Sequence, residues 1–120
     1  MKKIETPDPI RGLLPLSPPV FYILFALADG EKHGYAIMKE VERISGGKFI
    51  IGPATLYTSI QRLLELGLIE ETGTSSNSER RRRCYQLSGS GRQAFGAELD
   101  RMESLVRSAQ RRKLVPREAR

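Results

Sequence analysis

The strongest constraint on this chain is the segment from Ser17 to Gly30, SPPVFYILFALADG. Ser17 before Pro18 and Pro19 is a good helix start, because a Ser side chain caps open N–H groups and Pro in the first turn forfeits no helical hydrogen bond. Asp29-Gly30 is a good stop. Between these signals Val20, Phe21, Tyr22, Ile23, Leu24, Phe25, Ala26, Leu27 and Ala28 are apolar or aromatic on every side. A surface helix carries one apolar stripe, so a helix that is apolar all round has to be covered on both sides. Residues 18–28 are therefore predicted to form a central helix. Its second cover is either the remainder of this chain or another copy of it.

A chain of 120 residues supports one domain, which removes enough surface from water to fold alone while gaining from a second copy. Val20 to Ala28 is the longest apolar run and falls well short of the roughly 18 residues a membrane span needs. Lys2 and Lys3 are followed by Glu5, Pro7, Asp8 and Pro9, where a secretory leader needs an apolar core. A cytoplasmic protein with no membrane contact is expected. Cys84 is the sole cysteine and His33 the sole histidine, so neither an intrachain disulfide nor a Cys/His metal cluster can be assembled. Most catalytic constellations go with them, and Glu40, Glu42, Glu70 and Glu71 read as solvated positions. The expectation is a non-enzyme with no metal and no cofactor, in which Cys84 occupies a buried strand position beside Arg83.

Charge is unevenly placed. Residues 1–78 hold eight basic and nine acidic side chains, whereas residues 79–120 hold twelve basic and five acidic. Basic character confined to the C-terminal third suggests a polyanionic partner, and nucleic acid suits it better than a membrane surface because no basic amphipathic helix stands alone at an end.

Residues 1–16 read as an N-terminal arm, with one short helical turn after Asp8-Pro9. A second helix is predicted from about Gly34 to Ile44, with Tyr35, Ile37, Met38, Val41 and Ile44 as its apolar stripe. Phe49-Ile50-Ile51 is a strand candidate, and Gly52-Pro53 leads into a third helix over about Ala54 to Leu66, closed by Gly67. Leu68 to Thr72 and Arg80 to Leu87 form a hairpin with a polar tip, Gly73 to Ser78. A last helix runs from Ser88 or Ser90 to about Gln110.

On the third helix Leu56, Ile60, Leu63 and Leu64 fall on one side and Thr55, Thr58, Ser59 and Arg62 on the other, bordered by Tyr57 and Gln61. This outer face is polar, almost uncharged and made of small hydroxyl residues with one Arg. It suits the DNA major groove, where Thr and Ser meet base edges or phosphates and Arg pairs bidentately with guanine; an ordinary wet face carries Glu and Lys instead. Arg80, Arg81, Arg82 and Arg83 beside the hairpin tip add phosphate and minor-groove contacts. The fold class is accordingly mainly α with a small β-hairpin, a winged helix-turn-helix with a long C-terminal dimerisation helix. Its parts are the arm (1–16), the DNA-binding domain (17–87), the dimerisation helix (88–114) and a tail (115–120).

His33-Gly34-Tyr35-Ala36-Ile37, Gly52-Pro53-Ala54-Thr55-Leu56-Tyr57, Arg62-Leu63-Leu64, Gly67-Leu68-Ile69 and Tyr85-Gln86-Leu87-Ser88 with Gly91-Arg92 together resemble the PadR family of bacterial transcriptional regulators, over about Leu16 to Leu114. Ala54 stands where the family often has a second Gly, and Ser88 where it usually has Thr. The short single last helix is similar to that of compact members. The resemblance implies a homodimeric repressor on an inverted repeat, in some members released by a small aromatic or drug-like molecule. It would put Thr55, Tyr57 and Arg62 in or beside the groove, and Gly34 and Tyr35 against the phosphate backbone, with His33 as a cap or phosphate neighbour.

Phe95, Leu99, Met102, Val106 and Ala109 recur at coiled-coil spacing along the last helix, widened by Leu105. With Phe21 and Phe25 of the first main helix they are expected to form a two-fold interface that sets two recognition helices about 34 Å apart. The opposing reading packs the last helix on the first within one chain. An effector pocket between subunits would use Phe21, Phe25, Phe95, Leu99 and Met102. The competing class is a winged-helix module for protein or RNA, against which stand the uncharged outer face and the lack of aromatic pairs for stacking on bases.

Overall fold

Helix α1 (Asp8–Arg11) leads through a Pro-containing turn into α2 (Pro18–Leu27), and strand β1 (Lys32–His33) then enters α3 (Gly34–Ile44) in the computed structural model, which describes residues 8–75 and 82–116. Next come α4 (Pro53–Glu65), β2 (Ile69–Ser75), β3 (Arg82–Leu87) and α5 (Gly89–Arg111). The fold is mainly helical with a small antiparallel sheet and a long C-terminal helix, a winged helix-turn-helix.

The uniformly apolar helix is central. Ile23, Leu24, Ala26 and Leu27 of α2 are fully buried, among Ile37 and Val41 of α3, Leu56, Ile60 and Leu63 of α4, Tyr85 and Leu87 of β3, and Ala94 of α5. Most of its second cover comes from its own chain, and Phe25 remains partly open. Pro18 and Pro53 open their helices as expected, since a missing N–H costs nothing in the first turn. Helix α4 ends in a Schellman turn: the Gly67 N–H donates to the Leu64 carbonyl at 3.1 Å and the Leu68 N–H to the Leu63 carbonyl at 2.9 Å. That turn requires Gly67 at φ +73°, a region unfavourable to other residues.

Two local expectations differ from the structure. Phe49-Ile50-Ile51 is not a strand. Phe49 stacks on Tyr22 with ring centroids 4.8 Å apart, Ile51 is buried and Ile50 is exposed, while the Ser45 hydroxyl accepts from the Phe49 N–H at 3.0 Å. The sheet edge this segment would need is taken instead by β1, where Lys32 pairs with Tyr85 and His33 with Cys84, giving the order β1-β3-β2. Two residues are too few to leave an alternating pattern in a sequence. Strand β2 also runs further than expected, to Ser75, because a bulge between Glu71 and Gly73 lets the ladder continue.

Residues 8–16 lie against the domain. Ile10 is buried, Leu13 and Leu16 pack on the core, and the Leu16 N–H donates to Glu98 of α5 at 3.1 Å.

Candidate nucleic-acid interface

Helix α3 begins where its sole histidine stands: the His33 side chain caps it, Nδ1 accepting from the Ala36 N–H at 3.2 Å. This fits the capping role that the family resemblance implies. Gly34 follows as the first helical residue and is buried, while Tyr35 is exposed with the Lys39 ammonium 5.8 Å from its ring centroid. Lys39 is not among the residues that the sequence pattern singles out. The four-residue spacing that brings it over Tyr35 is the signal that finds it.

Helix α4 crosses α3 with Leu56, Ile60 and Leu63 buried beneath it. Thr55, Tyr57, Thr58, Gln61 and Arg62 are exposed, and Ser59 is half-buried at the edge of the same face. The structure therefore brings together the short-chain polar surface expected from the 3.6-residue period. Tyr57 differs from its neighbours in leaning back over the start of α3, as the space above Gly34 shows.

In the wing, Glu71 of β2 lies 3.7 Å from the Arg83 guanidinium, and the Gln86 amide donates to Glu70 at 3.1 Å. Arg83 is exposed, and Arg82 opens β3 opposite Ser75. Arg80 and Arg81 lie outside the described residues. Cys84 lies in β3, the strand position expected, and is half-buried there. Burial holds the Tyr85 phenol above its ordinary value, with Glu71 acting in the same direction.

Of the residues expected at a subunit interface, Phe95 meets Phe21 and Phe25 inside one chain, with ring centroids 5.7 and 5.2 Å apart. Leu99, Leu105 and Val106 are exposed, the last two at 59% and 53%, and Met102 and Ala109 are half-buried. Sequence reasoning missed Glu98, 1% exposed in the middle of α5. It accepts from Arg101 at 2.6 and 3.0 Å, and these bonds hold its carboxyl below the ordinary value against the opposing effect of burial. Among the described residues no cluster of three His, Cys, Asp or Glu side chains is placed to hold a metal ion, and no helix is long and apolar enough to cross a membrane.

A capped helix, a second helix presenting an uncharged polar face and a two-stranded wing define a winged helix-turn-helix of the DNA-binding class. The chain belongs to the transcriptional regulator PadR-like family, which matches residues 23–97. Regulators of this family are not enzymes. The chain is 37% identical over 86 residues to an uncharacterized 37.1 kDa protein in transposon TN4556 of Streptomyces fradiae, spanning 69% of this chain and only 22% of that protein. It spans about a fifth of the length of this curated relative. Among solved structures it is similar to Bacillus subtilis PadR in complex with operator DNA, at 25% identity and TM-score 0.60, covering 67% of this chain and 45% of the other. A transcriptional regulator from Clostridium thermocellum shares the fold at TM-score 0.64 and 24% identity, covering 88% of this chain and 97% of that one.

Proposed function

We propose that this protein is a sequence-specific DNA-binding regulator, acting as a homodimeric repressor on an inverted-repeat operator. The observation that carries this reading is the outer face of α4. Thr55, Thr58, Gln61 and Arg62 are exposed together, backed by three buried residues, and none of them brings a charge other than that of Arg62. Such a face can approach base edges closely without burying unpaired ions. Tyr57 and Ser59 border it. Tyr35, exposed at the start of α3 with Gly34 buried beside it, would meet the phosphate backbone, and Arg80 to Arg83 would add phosphate contacts. In this reading residues 17–87 are the DNA-binding unit, 88–114 the dimerisation helix, and 1–16 and 115–120 the arm and tail. The B. subtilis complex with operator DNA supports the reading by analogy.

The dimer uses the apolar surface that the single chain leaves open, namely Phe25, Leu99, Leu105 and Val106, with Phe21, Phe95, Met102 and Ala109 behind it. A small aromatic effector would enter at the edge of Phe21, Phe25, Phe95, Leu99 and Met102. Because the three Phe rings already touch, it has to displace at least one of them. A panel of aromatic compounds that leaves both duplex affinity and melting temperature unchanged speaks against that site.

The deciding experiment is selection from random duplex DNA at near-physiological salt, followed by sequencing of the retained molecules. An enriched inverted repeat is expected. Salt-sensitive retention without enrichment removes sequence specificity from the proposal. No retention favours a protein- or RNA-binding winged helix.

A further inference from the structure

Tyr57 is 53% exposed on the outer side of α4, yet its phenol is held against a neighbouring helix. A Cβ placed on Gly34 would lie 2.4 Å from the Tyr57 hydroxyl oxygen, 3.0 Å from Cζ and 3.3 Å from Cε1. Carbon atoms do not approach an oxygen that closely, so the phenol keeps its seat only while residue 34 has no side chain. Gly34 shows no positive φ and lies in ordinary helix, which makes the requirement one of space and not of backbone conformation. The Tyr57 ring thus stands where α4 meets the start of α3.

Leu56 anchors the first turn of α4 in the core, while among the described residues the outer side of that turn has no other anchor than Tyr57. Gly52 caps the helix without a side-chain hydrogen bond, and Pro53 and Ala54 are exposed. On its outer face Thr55 and Thr58 are too short to follow a displaced helix, since a shift of about 1 Å takes a hydrogen bond out of range. We infer that Gly34 and Tyr57 form one positioning unit, in which the bare backbone at Gly34 seats the Tyr57 phenol and that contact sets the pose at which α4 presents Thr55, Thr58, Gln61 and Arg62 to a duplex. Tyr57 is then a positioning residue and not a reader of bases. The inference rests on the DNA-binding reading and deepens it.

The test is a double-mutant cycle of Gly34→Ala and Tyr57→Phe, read as affinity for the selected inverted repeat and for a random duplex of equal length. Phenylalanine lacks the oxygen that makes the 2.4 Å contact, and the remaining contact at Cζ, 3.0 Å, needs only a small adjustment. Gly34→Ala alone is expected to lose roughly tenfold in discrimination, Tyr57→Phe alone less, and the double variant to recover most of the loss. Additive effects, or equal losses on both duplexes, overturn the inference. Should Gly34→Ala fail to fold, Gly34→Ala with Tyr57→Leu removes the ring altogether. Folding restored in that variant supports the pairing, and continued failure overturns it. A wild-type protein that does not discriminate between the duplexes defeats the DNA reading and this inference together, whereas discrimination with an additive cycle defeats the inference alone.

Discussion

Gly91 shows how little space separates the wing from α5. A Cβ there would lie 1.9 Å from the Leu68 carbonyl oxygen and 3.0 Å from its carbon, both backbone atoms that cannot swing aside. The approach is locked by Ser88, whose hydroxyl accepts from the Gly91 N–H at 3.0 Å and donates to the Gly67 carbonyl at 2.6 Å. Gly91→Ala is expected to destabilise the fold by roughly 3 kcal/mol, seen as a lower urea midpoint at unchanged slope. Glu98 makes the second residue-scale prediction. Its carboxyl titrates below the ordinary glutamate value of 4.5, chiefly through its hydrogen bonds from Arg101. The unfolded chain therefore binds the proton first as pH falls, so the stabilisation is complete above about 4.5 and disappears as pH drops through the lowered value. Glu98→Gln should cost roughly 2 kcal/mol near neutral pH. Its melting temperature should also fall less than that of the wild type as pH is lowered from neutrality through the depressed native value of the Glu98 carboxyl. Parallel curves for the two proteins would remove Glu98 from the acid response.

At the scale of elements, α4 and the wing would divide the work of binding in the proposed reading. Arg62 is exposed in the last turn of α4, and if it reads a base then Arg62→Ala should cost about 1 to 3 kcal/mol on the selected repeat and little on random duplex. Replacing Arg81 and Arg82 with Ala should weaken every duplex alike and reduce the slope of log affinity against log salt by about two. An unchanged slope would take the wing off the phosphates. The helices of this arrangement were legible from the sequence because each carries its own signals. Pro18 and Pro53 start α2 and α4, Gly46 and Gly67 follow the ends of α3 and α4, and a 3.6-residue period marks the buried side of α3 and of α4. β1 was not legible, because Lys32 and His33 become a strand only when β3 offers them an edge. Phe49 to Ile51 erred in the opposite direction: an apolar run with β-branched residues resembles a strand until its partners turn out to be Tyr22 and the core.

For the whole molecule, α5 divides into a half used within the chain and a half that faces outward. Its N-terminal half is committed by Phe95 to α2, by Glu98 to Leu16, and by Arg92, which donates to the Ala28 carbonyl at 3.4 Å at the end of α2. Further along, Leu99, Leu105 and Val106 face outward. Leu99→Glu with Val106→Glu should leave the melting of a single chain nearly unchanged, since neither side chain is buried in it, and should convert a micromolar dimer to monomer in analytical ultracentrifugation. The paired variant should also lose affinity for an inverted repeat more than for a single half-site if, as proposed, two recognition helices about 34 Å apart bind as one unit.

The sequence by itself determined the helices, the central place of α2, the polar face of α4 and the concentration of positive charge after residue 78, since propensity, periodicity and charge are properties of neighbouring residues. Only the tertiary structure decided that Phe95 closes on Phe21 and Phe25, that Glu98 holds the turn before α2, and that Gly34 and Gly91 are glycines for want of space. Each of these joins residues far apart in the chain, except through folding, and local patterns carry no record of a distance that packing alone creates.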